Sequence, residues 1–231
     1  MHLAYSLAAR HPRPLNGGVD YAHLLDGYAH GPTAGPEATA RALEKAAGAA
    51  SIVLVEGVSD QIALETLARR RGYDLAARQV VIVPTGGAHG TRRYLERFVP
   101  SGVRLSGLCD VGEEPVIRRA LASSGLGAPT SRAELERLGF HVCDVDLEDE
   151  LIRAVGVPGV EALLAEHGEL QAFRTMRGQA AWRGRSLDAQ IRRFLVIRAR
   201  RKLAYARLLV EAVDPSRVPR PLDGVLAAAF R

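Results

Sequence analysis

Glu56, Asp60, Asp110 and the acidic run Asp144, Asp146, Glu148, Asp149 and Glu150 are the residues whose types and spacing could do chemistry. Each acid or group follows an apolar run: Ile52 to Val55, Leu105 to Cys109, and Phe140 to Cys143. If those runs are parallel strands of one sheet, their ends lie about 5 Å apart per strand step, so Glu56, Asp60, Asp110 and the 146–150 acids converge on one rim. Two carboxylates at that distance repel by about 3 kcal/mol at an effective dielectric of about 20, and three or four of them demand a proton or a cation. Loosely spaced oxygen donors suit Mg²⁺ or Mn²⁺, which substrate phosphates complete. An ion so held activates water and stabilises the leaving oxygen of a phosphodiester. Taken singly, the first junction has a plainer reading, with Glu56 a solvated turn residue and Asp60 serving a helix dipole.

The elements that must position these acids are legible. Ser51 to Val55 reads as a buried strand; Gly57 and Ser59 end it, with Ser59 placed to cap a helix and Asp60 in its first turn. Ile62, Leu64, Leu67 and Ala68 carry that helix to a stop at Gly72. A helix from Pro36 to about Gly48 precedes the strand. Val80 to Val83 is a second strand, ending in Gly86 and Gly87, a pair that either lets the backbone approach a phosphate or makes a plain tight turn. A helical pattern follows through Tyr94, Leu95 and Phe98, then a strand at 104–110, a helix to about Ser124 and a short strand at 140–143. Beyond it the chain reads helical, interrupted by Pro158, Gly168, Gly178, Gly184 and the 215–221 turn region. Strands alternating with helices predict an α/β fold with a parallel four-stranded, Rossmann-like sheet and right-handed crossovers. Residues 1–35, rich in Pro and Gly, read as a flexible arm, 36–155 as the α/β domain and 156–231 as an Arg-rich helical extension.

Composition narrows the classes. In 231 residues no apolar run approaches the roughly eighteen needed to span a membrane, which predicts a soluble, cytoplasmic protein. The two cysteines, Cys109 and Cys143, make no disulfide framework, and with His141 they form a poor zinc set, lacking a close Cys pair. Gly86-Gly87-Ala88-His89-Gly90-Thr91 lacks the Lys of a P-loop. The net charge of +5 conceals an asymmetry: residues 174–220 hold thirteen Arg or Lys against three acids, a local +10 that suits a polyanion such as DNA, or reflects an Arg-rich solvated helix surface. Arg183, Arg185, Arg200 and Arg201 are the candidate nucleic-acid contacts, and Trp182 either stacks on a strand or lies in the core. Ile191, Phe194, Leu195, Leu203, Leu208 and Leu209 are core by spacing.

Val55-Glu56-Gly57-Val58-Ser59-Asp60, Pro84-Thr85-Gly86-Gly87 and Leu108-Cys109-Asp110, as an ordered set, resemble the successive motifs of a TOPRIM domain. With Leu147-Glu148-Asp149-Glu150-Leu151 the set is most similar to the OLD family of endonucleases. The resemblance implies metal-dependent phosphodiester hydrolysis of DNA. It makes Glu56 an acid/base or a metal ligand, Asp60 and Asp110 ligands, and Glu148 or Glu150 the ligand of a second Mg²⁺ or Mn²⁺. It also looks for a transition-state Lys after the acidic helix, for which Lys202 is the candidate; a solvated helix residue is the alternative. The sequence departs from the pattern where Asp-x-Asp reads Asp110-Val111-Gly112, with Glu113 or Glu114 as stand-ins for the second acid. Family members carry an ATPase domain that these residues lack, so the resemblance leaves either a self-sufficient nuclease module or the partner of a separate ATPase. The alternative is a module that binds metal and nucleic acid without cutting. Primase and topoisomerase chemistry is disfavoured, with no catalytic Tyr setting or zinc ribbon.

Overall fold

The computed structural model describes residues 19–231. Four strands, β1 (Ser51–Val55), β2 (Val80–Pro84), β3 (Arg104–Cys109) and β4 (Phe140–Val142), form one all-parallel sheet in the order β2-β1-β3-β4. Ser51 lies opposite both Val80 and Arg104, which centres β1, and all five of its residues are buried, as a strand covered on both faces requires.

Helix α1 (Ala34–Ala46) precedes the sheet, α2 (Val58–Arg70) joins β1 to β2, and α3 (Ala88–Phe98) joins β2 to β3. The chain moves to one side of β1 for β2 and to the other for β3, so α2 and α3 cover opposite faces. Val53 and Val55 pack with Ile62 and Leu64 of α2 in one core, while Ile52 and Leu54 pack with Tyr94 and Leu95 of α3 in the other. The strand order therefore reverses between β1 and β3, and a crevice opens at their C-terminal ends. That crevice receives Glu56 and Asp110.

The second core also takes α4 (Glu114–Ser123) and α5 (Arg132–Arg137). The short α5 is not among the expected helices, although Ser131 caps it by accepting from Glu134 N–H at 3.3 Å and the Ser-x-x-Glu pattern is visible in the sequence. Beyond β4 come α6 (Leu147–Val155), α7 (Val157–Glu166), α8 (Leu170–Arg177), α9 (Leu187–Val196), α10 (Ala199–Ala212) and α11 (Arg220–Ala229). Pro158 and Pro221 sit in the first turns of α7 and α11, where a missing N–H leaves no bond unmade. Neither Gly nor Pro marks the break between α9 and α10; it is made by Arg198 in an extended conformation.

These helices are not strung out beyond the sheet. Helix α10 lies along α2, α11 packs on β3 and β4, and both share the α2-side core. Ile191, Phe194, Leu195, Leu203, Leu208 and Leu209 are all buried there. The expected arm is corrected in its described part, while residues 1–18 lie outside the described residues. Tyr21, Leu24, Leu25 and Ala29 are buried, and the Tyr28 hydroxyl donates to Glu65 Oε2 at 2.7 Å. The apolar side chains between the turn residues cover α2 and α10, and that burial outweighs the Gly and Pro content. No helix among the described residues is long and apolar enough to cross a membrane.

Gly224 lets α11 approach β4 closely, because a Cβ there would lie 2.3 Å from His141 Cε1. Gly224→Ala must push α11 off the sheet and should lower stability by about 1–3 kcal/mol, read as a lower urea midpoint at unchanged slope. Gly48→Ala, with nothing within 4 Å of the added atom, is the control and should leave the midpoint nearly unchanged.

Candidate metal centre

Glu56 is held by its backbone. Thr85 N–H donates to the Val55 carbonyl at 2.8 Å, and Gly86 and Gly87 N–H donate to the Glu56 carbonyl at 3.1 and 3.2 Å. Both glycines have positive φ, +76° and +105°, which allows two successive amides to turn onto one oxygen. The glycine pair thus fastens the end of β1 as a tight turn, the second of its two readings, and these two amides are already committed to the Glu56 carbonyl. The cap of α2 also differs from expectation. Gly57 is the cap residue, its N–H donates to Asp60 Oδ2 at 3.0 Å, and Ser59 is buried inside the first turn.

Asp60, Asp110 and Glu148 share one electrostatic environment. Burial pushes Asp60 up to about 6, against the opposing pull of Lys202 and the Gly57 N–H. Burial, reinforced by the charges of Asp60, Glu56, Asp146 and Glu113, pushes Asp110 up to about 8. Glu148, buried on α6, is pushed up to about 7 by burial, opposed by Lys202 and raised further by Asp60 and Asp146. Lys202, on α10, brings its Nζ within 3.5 Å of Glu148 Oε1. Burial works against its charge, but Glu148, Asp60 and Glu56 hold the ammonium above its ordinary value.

Lys202 is placed by its neighbour. Arg201 is buried and pairs with Glu169, donating from Nε to Oε1 at 2.7 Å and from Nη1 to the Phe194 carbonyl at 2.9 Å. Its guanidinium carbon lies 3.8 Å from the Phe194 ring centroid. The first turn of α10 is thereby fixed to the start of α8 and the end of α9. Arg201 is thus removed from the nucleic-acid contacts: it is inside the protein. Arg183, Arg185 and Arg200 are exposed, and Arg183 Nε donates to the Gly178 carbonyl at 3.0 Å. Trp182 packs partly against the core with Arg193 over its ring at 5.9 Å.

Other expected ligands fall elsewhere. Glu150 accepts from Asp144 N–H at 2.8 Å and pairs with Arg153 at 2.9 Å, on the far side of α6 from Glu148. Glu114 is taken by Arg118 and Arg132, which hold its carboxyl below the usual range. Glu113 remains near the acids, lining a small crevice with Glu56 and Thr91. Cys109 and Cys143 lie in different cores, with burial pushing both thiols up, and the buried His141 ring packs against Gly224, so the zinc set does not assemble. Asp146, absent from the nominated ligands, joins the site: Oδ1 accepts from Asp149 N–H at 2.8 Å as the cap of α6, and Oδ2 accepts from Arg192 Nε at 2.6 Å. The Asp-x-x-Asp spacing signals the cap, but nothing in the sequence signals Arg192.

Among the described residues no three His, Cys, Asp or Glu side chains are gathered tightly enough to hold an ion as they stand. The donor chemistry nonetheless fits a hard divalent cation: all donors are oxygens, buried or half-buried and mutually repelling, and Glu148 Oε1 faces the Lys202 ammonium at 3.5 Å.

A four-stranded parallel sheet with acids at its switch point defines the class as a Rossmann-like α/β fold. Residues 49–111 match the family model described as Overcoming lysogenization defect protein-like, TOPRIM domain. Over that segment the chain is similar to an OLD-like TOPRIM domain. In fold it is similar to the C-terminal region of the Xanthomonas campestris pv. campestris OLD protein, with a TM-score of 0.61 at 16% identity over 80% of this chain and 94% of that one. The C-terminal region of the Burkholderia pseudomallei OLD protein gives 0.55 at 17% identity over 78% and 96%. No curated protein matches the chain.

A carboxyl whose value is raised by folding stabilises the folded chain fully below its unfolded value near 4 and loses that contribution as pH rises through the folded value. Without metal, thermal stability should therefore fall between about pH 4 and 8 as Asp60, Glu148 and Asp110 ionise. Mn²⁺ should raise the melting temperature at pH 8 and hardly at pH 5. Asp110→Asn should raise the metal-free melting temperature at pH 8 and abolish the Mn²⁺ increment; calorimetry at the two pH values checks both.

Proposed function

We propose that the chain is a divalent-metal-dependent nuclease that hydrolyses DNA phosphodiesters. The observation that carries this reading is the placement of Lys202, from a helix some fifty residues beyond α6, among Glu148, Asp60 and Glu56 at the switch point. A permanent cation beside raised carboxyls suits a substrate that gains negative charge in the transition state.

Asp60, Asp110 and Glu148 would hold Mg²⁺ or Mn²⁺, with Asp146 and Glu113 at the periphery. When bound, the ion supplies Lewis-acid polarisation of the phosphodiester and a more acidic water. Glu56, anchored by the glycine turn, takes the proton from the attacking water or serves as a ligand. Lys202 donates to a non-bridging phosphate oxygen. Arg192 holds Asp146 in place, and the exposed Arg183, Arg185, Arg198 and Arg200 meet the backbone on either side. By the same resemblance, an ATPase domain would direct the module to its substrate.

Gly112, with open space around it, favours a second reading in which the module binds DNA and metal without turnover. Supercoiled plasmid in Mg²⁺ or Mn²⁺ separates the two. Nicking that EDTA abolishes, and that Glu56→Ala and Lys202→Ala each lower by at least about 10²-fold with DNA binding kept, supports hydrolysis. Intact plasmid that is retarded on the gel supports binding alone.

The Arg surface makes its own prediction. DNA affinity should fall steeply with salt and show little sequence preference, and Arg198→Ala/Arg200→Ala should reduce the slope of log K against log salt by about 2. Arg201→Ala should instead lower stability by about 3–5 kcal/mol, because it leaves Glu169 buried and unpaired.

A further inference from the structure

Four large apolar side chains are exposed among the described residues: Tyr73, Val111, Val145 and Ile197. Tyr73 is accounted for, its ring stacked on Phe230 at 4.5 Å between centroids. Two of the other three, Val111 and Val145, adjoin acids in the chain. Val111 follows Asp110, Val145 precedes Asp146, and the two loops are joined where Val111 N–H donates to the Val145 carbonyl at 3.4 Å. Ile197 occupies the break between α9 and α10, with Arg192, which binds Asp146, on one side and Lys202, which pairs with Glu148, on the other.

Single exposed aliphatic residues are ordinary; Val111 and Val145, each next to an acid on loops joined by a backbone hydrogen bond, and Ile197, on the segment between the two cations that meet those acids, are not scattered. Gly112 adds no side chain over Val111, and nothing lies within 4 Å of where its Cβ would be. On either side of Ile197, Arg198 and Arg200 are exposed and make no ion pair among the described residues. A charged phosphate gains nothing from valine and isoleucine. The face of a nucleobase and its deoxyribose do gain, by leaving water, and a base offers that face only when it is not stacked in a duplex.

The geometry points to Val111, Val145 and Ile197 as an apolar rim that takes the unstacked bases of a DNA strand beside the scissile phosphate, with Arg198 and Arg200 on the flanking phosphates. The partner is unpaired DNA. This rests on the DNA-hydrolysis reading and specifies its substrate class.

The test measures binding of the chain, in Ca²⁺, to a single-stranded oligonucleotide carrying 2-aminopurine and to a blunt duplex of equal length, alongside plasmid nicking in Mg²⁺. The wild type should bind the single strand at least about fivefold more tightly and change the 2-aminopurine emission. Val111→Ser/Val145→Ser should weaken the single-strand complex about tenfold and the duplex complex less than twofold, while Val111→Ile/Val145→Ile restores the wild-type value. Equal loss on both DNAs, or no loss on either, overturns the rim even where nicking persists. Failure of the wild type to bind or cut any DNA overturns the hydrolysis reading as well.

Discussion

Like-charge repulsion at the end of a buried sheet is the constraint on which the rest of this structure depends. Asp60 and Glu148, both buried, arrive from α2 and α6, the half-buried Asp110 follows β3, and the desolvation limits how far water screens them. The fold tolerates this crowding because it builds cations in from outside the α/β unit: Lys202 at Glu148 and Arg192 at Asp146, from α10 and α9. The C-terminal helices are therefore part of the site. Their two cations do not equal the gathered acids in number, and the remaining imbalance is the electrostatic ground for the proposed divalent ion.

Two devices hold the arrangement. On one side the glycine turn after β2 binds the Glu56 carbonyl, so the position of that carboxylate is set by backbone hydrogen bonds. On the other, the buried Arg201–Glu169 pair fixes the start of α10. A buried ion pair is weak evidence for net stability, since well-packed apolar residues would often serve as well. Its worth here is positional: it fixes the rotation of α10, and the adjacent residue, Lys202, then reaches Glu148.

The sheet, its parallel sense and the rim of Glu56, Asp60 and Asp110 were legible because each acid stands immediately after its strand or in the first turn that follows. The remainder depends on helix phase and long-range packing. Glu148 and Glu150 are two residues apart, about 200° around a helix, so only one can face the rim, and the choice falls to the packing of α10 on α6. In Arg200-Arg201-Lys202 the same geometry sends one residue to solvent, one inside and one to the acids, yet all three look alike in a charge count. Asp146 and Arg192 are 46 residues apart and meet only in the folded chain. The break before α10, made by Arg198 without Gly or Pro, left no local signal at all.

The central claim is that Asp60, Asp110 and Glu148 share one field that an added cation relieves. Carbon-detected NMR titration of the side-chain carboxyls, without metal and with Mg²⁺, reads this residue by residue. The account predicts that without metal the three ionise between about pH 6 and 8, Asp110 last, and that saturating Mg²⁺ moves all three back toward or below the ordinary range near 4. Ionisation near 4 for all three without metal, or values unmoved by Mg²⁺, would contradict it.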